Sequence, residues 1–250
     1  MSPAVVGIFG VGAIGGSIGL RARRNGARVV GADRDSAALA SARVLGAIDD
    51  IATVEQLAHG VEVLVLAAHL QPTLDQLERL KGASGSMPAL IVDVAAVKAP
   101  VVRAGSGLRN FVATHPLAGT EKSGPRAARA DIFDGRTWAY APTGDEALDA
   151  RAQAFIESMG AVPFAISAEE HDCVVAMTSH LPQIVAWCYA KLLRAQGDDV
   201  EKLCGPVARE LLRISSMDSS MWGDILSANS ANIEPQLRKL VRELDAYNLS

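Results

Sequence analysis

The 250-residue sequence predicts an α/β protein with a doubly wound parallel sheet, followed by an all-α C-terminal domain. Two observations lead to this prediction. A glycine-rich turn joins the first apolar strand to a helix, and apolar strands then alternate with helical segments as far as residue 166. From residue 167 onward, apolar residues recur only at helical spacing. We therefore divide the chain into a sheet domain of residues 1–166 and a helical domain of residues 167–250.

The chain begins with a strand–turn–helix–strand unit. Val5–Phe9 reads as a buried strand, the turn is Gly10-Val11-Gly12-Ala13-Ile14-Gly15, and a helix follows over Gly16–Arg24. A second strand, Arg28–Ala32, is followed directly by Asp33. The glycines allow a tight turn, a close approach of the backbone to a diphosphate and close packing of the helix on the strand. This is the dinucleotide-binding fingerprint of the Rossmann fold, in which amides at the helix N-terminus hold the diphosphate.

The acid after the second strand indicates which dinucleotide binds. Asp33 can accept hydrogen bonds from ribose hydroxyls and would repel the additional phosphate of NADP. Arg34 leaves an alternative open, because an arginine can stack on adenine or bind that phosphate. We predict NAD as the cofactor, with NADP the less favoured alternative. The residues predicted from this pattern to contact the cofactor are Gly10, Gly12, Ala13, Ile14, Gly15, Asp33, Arg34 and, after the next long strand, Ala67.

The alternation of strands and helices continues along the first domain. Strands are predicted at Val61–Ala67, Ala89–Asp93 and Phe111–Thr114, and the last of these is expected to complete the main sheet. Ligands of such sheets bind at the carboxyl ends of the strands. His115 follows the last strand directly, so it is predicted to face the cofactor cleft. Two additional strands, Thr137–Ala141 and Ala161–Ile166, are predicted around a helix over Glu146–Met159.

The C-terminal domain is predicted to mediate dimerisation. Its apolar residues recur at helical spacing in two series: Val174, Met177, Leu181, Ile184, Cys188 and Leu192, then Ile233, Leu237, Leu240, Val241 and Leu244. About 80 residues of helix bury little core alone. The segment 184–193 is also apolar on more than one face, which favours a homodimer through these helices. Burial of this segment within one chain is the alternative.

Composition excludes several classes of function. The net charge of −4 and the absence of a basic run argue against nucleic-acid binding, and only 4% of the residues are aromatic. No apolar run is long enough to span a membrane, and no secretory signal precedes the glycine turn. The cysteines Cys173, Cys188 and Cys204 lack metal-ligand spacing and are predicted to be reduced, buried thiols. We expect a cytoplasmic enzyme with a small-molecule substrate and no metal.

Three segments carry the chemistry. His115–Gly124 places a histidine after a strand and then a hydroxyl, a carboxylate, an ammonium and a second hydroxyl between two glycines. A nicotinamide fold with such a histidine indicates proton abstraction from a hydroxyl coupled to hydride transfer. Thr178–Gln183 contains Pro182 within a helical pattern, which predicts a kink. Arg213 lies in an otherwise apolar helical segment, where an arginine requires a carboxylate partner from the protein or a substrate.

The sequence resembles the prephenate and arogenate dehydrogenases of tyrosine biosynthesis over nearly its whole length. The resemblance rests on the glycine fingerprint, on His115-Pro-Leu-Ala-Gly-Thr-Glu-Lys-Ser-Gly124, on Ser179-His-Leu-Pro182, on Arg213-Ile-Ser and on Met221-Trp222. It implies oxidative decarboxylation of a cyclohexadienyl substrate with hydride transfer to NAD. By the same resemblance His115 accepts the proton of the ring hydroxyl and Arg213 binds a substrate carboxylate. The residues implied to line the substrate site are Thr120, Glu121, His180, Gln183 and Trp222, with Glu121 pairing with Arg213 when the site is empty.

The sequence departs from the family pattern at two positions. Ala96, which is also expected to contact the cofactor, stands where the family usually has a serine, whose hydroxyl contacts the catalytic histidine and the nicotinamide. Gln183 stands where many members have a histidine, so recognition of the substrate side chain is expected to differ. Two alternatives therefore remain beside the dehydrogenase of prephenate or arogenate. One is an enzyme for an aminated prephenate analogue in specialised metabolism, and the other is an NAD-binding sensor with weakened catalysis.

Overall fold

A computed structural model describes residues 4–83, 85–119, 122–197, 199–217 and 219–247. The chain divides into two compact units, Met1–Glu169 and Glu170–Ser250. The division expected from the sequence falls slightly earlier, between residues 166 and 167.

The first unit is built on a six-stranded sheet in which every pair of neighbouring strands is parallel. Its strands are β1 Val5–Phe9, β2 Arg28–Ala32, β3 Asp50–Ile51, β4 Val63–Leu66, β5 Leu90–Asp93 and β6 Phe111–Val112. Their order is β3-β2-β1-β4-β5-β6, so the strand order reverses at β1 and β4. This is the doubly wound dinucleotide-binding order, and it confirms the predicted fold class. The sequence reading missed only the two-residue strand β3 in this sheet.

Helices cover both faces of this sheet. They are α1 Ala13–Arg24, α2 Ser36–Val44, α3 Val54–Leu57, α4 Leu70–Lys81 and α5 Ala99–Gly105. Side chains alternate across β4, so Val63 and Val65 pack in one apolar core while Leu64 and Leu66 pack in the other. All four are at most 5% exposed. Burial on both faces explains why the parallel strands read as continuous apolar runs.

A second, three-stranded sheet corrects one sequence-based prediction. It consists of β7 Thr114–Pro116, β8 Thr137–Tyr140 and β9 Val162–Ala165, with helix α6 Glu146–Ser158 between the last two strands. The prediction that Phe111–Thr114 is one strand of the main sheet was wrong. After β6 the carbonyl of Ala113 accepts a hydrogen bond from the amide of Ala141 at 2.9 Å, and Thr114 pairs antiparallel with Tyr140. His115 therefore lies inside a strand of the second sheet.

The C-terminal unit is helical. Its elements are α7 Ala168–Val175, a π-helical turn Ala176–His180, α8 Leu181–Arg194, a 3-10 turn Val200–Leu203, α9 Pro206–Ser215, α10 Ser219–Ala228 and α11 Ser230–Ala246, and α7 begins just before the unit boundary. No strand occurs among its described residues, as predicted. A π-helical turn precedes Pro182, which stands in the first turn of α8, and the kink expected there stays a prediction. None of the helices within the described ranges is long and apolar enough to cross a membrane.

The apolar stripe predicted along α7 and α8 is largely uncovered in the single chain. Val174, Met177 and Leu192 are 50%, 54% and 68% exposed. The prediction of buried thiols was wrong for Cys173 and Cys188, which are free and exposed, and Cys204 is partly exposed. These side chains lie on helix faces away from the unit's own core. Leu181 is the buried member of the predicted stripe, and it lies in the core of the unit with Ala176, Ala186 and Ala190.

Candidate active site

The glycine turn forms a cradle for a diphosphate. Gly10 has a φ of 96°, and a Cβ there would lie 2.6 Å from the backbone of Ala67. A Cβ on Gly15 would lie 1.9 Å from the carbonyl oxygen of Gly10. Gly12 is different, because a Cβ at that position would meet nothing within 4 Å. The loop is thus closed toward β4 and open at Gly12, which is the shape that a bound dinucleotide requires.

The helix N-terminus and an ordered acid complete the cradle. The first residues of helix α1 are Ala13 and Ile14, and its N-cap residue is Gly12. Glycine has no side chain that could accept hydrogen bonds from the first amides of the helix, so these amides are open to a ligand. Asp33 Oδ2 accepts a hydrogen bond from the amide of Val11 at 2.8 Å, and its Oδ1 accepts one from the amide of Asp35 at 3.0 Å. The acid is therefore fixed beside the glycine turn. The residues of this cradle fit NAD, and the neighbouring Arg34 side chain is exposed.

A buried polar network holds the backbone just before His115. Lys98 Nζ forms an ion pair with Asp93 Oδ2 and donates to the carbonyl oxygen of Thr114 at 2.5 Å. Asp93 Oδ1 accepts from the amide of Thr114 at 2.8 Å, and the Thr114 hydroxyl donates to the carbonyl oxygen of Asp93. Trp138 Nε1 then donates to that hydroxyl at 2.9 Å. Both backbone polar groups of Thr114 are thereby anchored to the end of β5 and its following turn.

The energetics of this network depend on the ion pair. Asp93 and Lys98 are 0% and 1% exposed. Burial raises the pKa of Asp93, while the charge and the hydrogen bond of Lys98 act to lower it. Two backbone amides, those of Ala95 and Thr114, also stabilise the carboxylate. Such a pair is costly to break, because either partner alone would be an uncompensated buried charge.

His115 itself lies in the middle of β7, opposite Ala139, and is partly exposed. Ala96 lies in the bend between β5 and α5, also partly exposed, and brings no hydroxyl to this edge. Thr120 and Glu121, which the resemblance places in the substrate site, lie outside the described residues.

In the C-terminal unit, the π-helical turn ends at a fully buried histidine. His180 is 0% exposed, and its Nδ1 lies 3.1 Å from Asn229 Nδ2. Its ring meets Trp222 edge to face, with centroids 5.9 Å apart at 87°. Burial lowers the pKa of His180 to about 4, with Asp172 acting to raise it and His171 to lower it. The imidazole is therefore neutral near pH 7.

Two further predicted residues are held by neighbours in the same unit. Gln183 is 2% exposed, and its Nε2 donates to the carbonyl oxygen of Ile214 at 3.0 Å. Arg213 forms a two-pronged ion pair with Glu210, at 2.9 Å from Nε and 2.6 Å from Nη2. The hydrogen bond from Arg213 lowers the pKa of Glu210. The Arg213 side chain remains 46% exposed, so its guanidinium is accessible.

The sequence did not identify several residues of these networks, among them Asp93 and Lys98 as a buried ion pair, Thr114 as its backbone anchor, and Asn229. The burial of Asp93 and Lys98 could have been inferred from the sequence, because both charged residues stand next to apolar segments that are buried in the fold. Asn229 stands in no motif, and only its burial identifies it. Among the described residues, no group of three or more His, Cys, Asp or Glu side chains is arranged to hold a metal ion.

The sheet order and the cradle define the first unit as a dinucleotide-binding domain, and comparison with known proteins identifies the family. Residues 18–164 match the family model "Prephenate dehydrogenase, nucleotide-binding domain", and residues 167–249 match "Prephenate dehydrogenase, dimerization domain". The chain belongs to the prephenate dehydrogenase family. It carries the family's nucleotide-binding and dimerization domains.

Individual relatives support this assignment. The chain is 35% identical to a probable prephenate dehydrogenase, NovF, of Streptomyces niveus, over 95% of this chain and 66% of the relative. It is 32% identical to the prephenate dehydrogenase of Bacillus subtilis, over 95% of this chain and 67% of the relative. It therefore spans about two thirds of the length of these curated relatives.

A solved structure extends the comparison. Prephenate dehydrogenase from A. aeolicus in complex with hydroxyphenyl propionate and NAD+ is 27% identical, with a TM-score of 0.87. The alignment covers 98% of this chain and 90% of that one.

Proposed function

We propose that the protein catalyses the oxidative decarboxylation of a cyclohexadienyl substrate, prephenate or arogenate, to 4-hydroxyphenylpyruvate or tyrosine. Family membership over both domains supports this reaction and favours it over the sensor and the analogue enzyme. NAD, when bound in the cradle, supplies the acceptor for the hydride that leaves the ring carbon bearing the hydroxyl. The carboxylate departs as carbon dioxide, and the electrons of its bond complete the aromatic ring.

His115 accepts the proton of the ring hydroxyl. The observation that carries this role is the anchoring of both backbone polar groups of Thr114 by Asp93 and Lys98. A general base must be held within hydrogen-bonding reach of the proton that it removes. The network fixes the backbone that leads directly into His115.

The C-terminal residues recognise the substrate. Arg213 exchanges part of its pairing with Glu210 for a substrate carboxylate. His180 and Trp222 contribute polar N–H groups and aromatic surface. One N–H of Gln183 is used by Ile214, so its carbonyl oxygen is the group offered to a ligand. An acceptor there favours the ammonium group of arogenate, or tolerance of both substrates.

NAD is the preferred cofactor. The Asp33 carboxylate is fixed by two backbone amides, so it is unable to swing away from a ribose phosphate. A phosphate placed there meets like-charge repulsion. The functional form is a homodimer through the C-terminal helices, because the exposed apolar side chains of α7 and α8 need a covering surface.

The test is NADH formation by the purified protein. We expect absorbance at the NADH band on adding NAD with prephenate or arogenate, and a carbon dioxide yield equal to the NADH yield. NADP should give a clearly lower kcat/KM with the same substrate. Binding of NAD without turnover of either substrate would contradict the proposed reaction, and equal use of NADP would show that Arg34 outweighs Asp33.

A further inference from the structure

The orientation of one buried amide determines where His180 carries its proton. Asn229 is 2% exposed, and its Nδ2 donates to the carbonyl oxygen of Asp172 at 2.7 Å. A backbone carbonyl oxygen can only accept, so the amide atom facing it must be the NH2 group. Asn232 Nδ2 donates to the other end of the amide, Asn229 Oδ1, at 2.8 Å. The contact with Asp172 thus fixes the orientation of the Asn229 side chain, and its oxygen faces Asn232.

The same NH2 group faces the ring of His180. Asn229 Nδ2 lies 3.1 Å from His180 Nδ1, so that ring nitrogen must accept the hydrogen bond. An imidazole whose Nδ1 accepts carries its proton on Nε2. A doubly protonated ring would direct an N–H at the Asn229 N–H. The lowered pKa of His180, caused by burial, agrees with a neutral ring.

The donor that results has no acceptor within the described chain. His180 Nε2 is buried, and no hydrogen-bond partner for it is found among the described residues. Trp222 Nε1, in the ring packed against His180, is a second buried N–H for which the described part of the chain supplies no acceptor. Buried N–H groups are nearly always paired in folded proteins, so two unpaired ones in one cluster indicate a place for an acceptor.

We propose that Asn229 is a positioning residue that fixes His180 as a neutral Nε2–H donor, and that this N–H binds an oxygen of the cyclohexadienyl ligand. The inference rests on the proposed function for the identity of the ligand. The opposite tautomer would present a lone pair to the ligand oxygen and repel it. Trp222 Nε1 offers a second donor in the same cluster. Asn229 acts through His180, and no contact of its own with the ligand is required.

The tautomer is measured directly in the ligand-free protein. Long-range ¹H–¹⁵N spectra distinguish the protonated from the unprotonated ring nitrogen of His180. We expect a protonated Nε2 in the wild type and in Asn232→Ala, which removes the partner of Asn229 Oδ1 but leaves the bond to Asp172. In Asn229→Asp a carboxylate oxygen faces Nδ1, so Nδ1 should become protonated. A protonated Nδ1 in the wild type would overturn the proposal.

Ligand binding is measured with hydroxyphenyl propionate in the presence of saturating NAD+. Asn229→Asp should lower the affinity for hydroxyphenyl propionate by about tenfold or more, whereas Asn232→Ala should keep that affinity within about twofold of the wild type. The affinity for NAD+ should be unchanged in both variants. An unchanged affinity of Asn229→Asp, despite an inverted tautomer, would contradict the proposal. A purely structural role of Asn229 would lower the Tm without this selective loss.

A second pair of variants leaves Asn229 in place, so this test does not depend on whether an Asn229 variant folds. His180→Gln extends an amide N–H to about the place of Nε2 and should retain affinity for hydroxyphenyl propionate within about threefold. His180→Phe keeps the ring but no donor, and should lose about tenfold. Equal affinity of His180→Phe and the wild type would mean that only a buried water meets this N–H. Conversely, a protonated Nε2 in a protein that oxidises neither prephenate nor arogenate would contradict the proposed function and leave the tautomer assignment intact.

Discussion

Substitution of Lys98 by methionine tests whether the buried ion pair supports the catalytic edge. Methionine has a stem of similar length, so the change mainly removes the ammonium that pairs with Asp93 and anchors the carbonyl of Thr114. Both charges are essentially unexposed, and breaking a buried pair at one partner costs about 3–5 kcal/mol. We expect the free energy of unfolding at pH 7 to fall by this amount in chemical denaturation.

The pH dependence of the loss provides its signature. Without Lys98 the contribution that lowers the pKa of Asp93 disappears, so burial raises that pKa further. A buried acid with a raised pKa is destabilising when ionised, and protonation relieves the penalty. The difference in unfolding free energy between wild type and Lys98→Met should therefore shrink as the pH falls from 7 toward 5.

A matched control uses the same substitution on an exposed pair. Lys81 lies 2.9 Å from Glu78 on the surface of α4, and Lys81→Met should cost less than about 1 kcal/mol. In the folded Lys98→Met protein kcat should fall more than KM rises, because the anchor precedes His115. A loss below about 1 kcal/mol at pH 7, equal to that of the control, would refute the reasoning.

Three other predictions concern the C-terminal unit. Arg213→Gln should raise the substrate KM by more than about tenfold and leave the affinity for NAD unchanged. The control Arg209→Gln, one helical turn earlier, should change neither quantity. A large loss of NAD affinity in Arg213→Gln would assign Arg213 to another role. Gln183→His should shift the kcat/KM ratio toward prephenate by about tenfold, and a wild type that strongly prefers prephenate with an unmoved ratio would place selectivity elsewhere. Since burial lowers the pKa of His180 to about 4, the unfolded state binds a proton first as the pH falls. Between pH 7 and 4 the wild type should lose about 3 kcal/mol more unfolding free energy than His180→Gln, and parallel curves would contradict the buried neutral ring.

The sheet and the cofactor cradle were predictable from the sequence because their signals are local. Gly10 has a positive φ, and a Cβ on Gly15 would clash with Gly10, so both positions require glycine. The turn is therefore determined by residues that are close together in the sequence. The change of sheet after β6 was not predictable, because Phe111–Thr114 is one apolar run. Only the distant strand β8 determines where Thr114 pairs.

The candidate site was predictable only where a motif marks it. His115 and Arg213 stand in recognisable segments. The anchors of Thr114 depend on Lys98, 16 residues away in the chain, and the proton position of His180 depends on Asn229, 49 residues away. Cys173 and Cys188 were predicted to be buried but are exposed. Helical spacing shows which face of a helix is apolar, but it does not show whether another part of the same chain packs on that face.

The most direct test of the account is the turnover of His115→Asn. Asparagine keeps a polar side chain of similar reach but is unable to accept the proton, and loss of a general base costs about a hundredfold to ten-thousandfold. We expect NADH formation with prephenate or arogenate to fall by this factor, while the affinities for NAD and hydroxyphenyl propionate stay near those of the wild type. His59→Asn, at an exposed histidine, should leave kcat unchanged. A near-normal kcat in His115→Asn would contradict the assignment of His115 as the base.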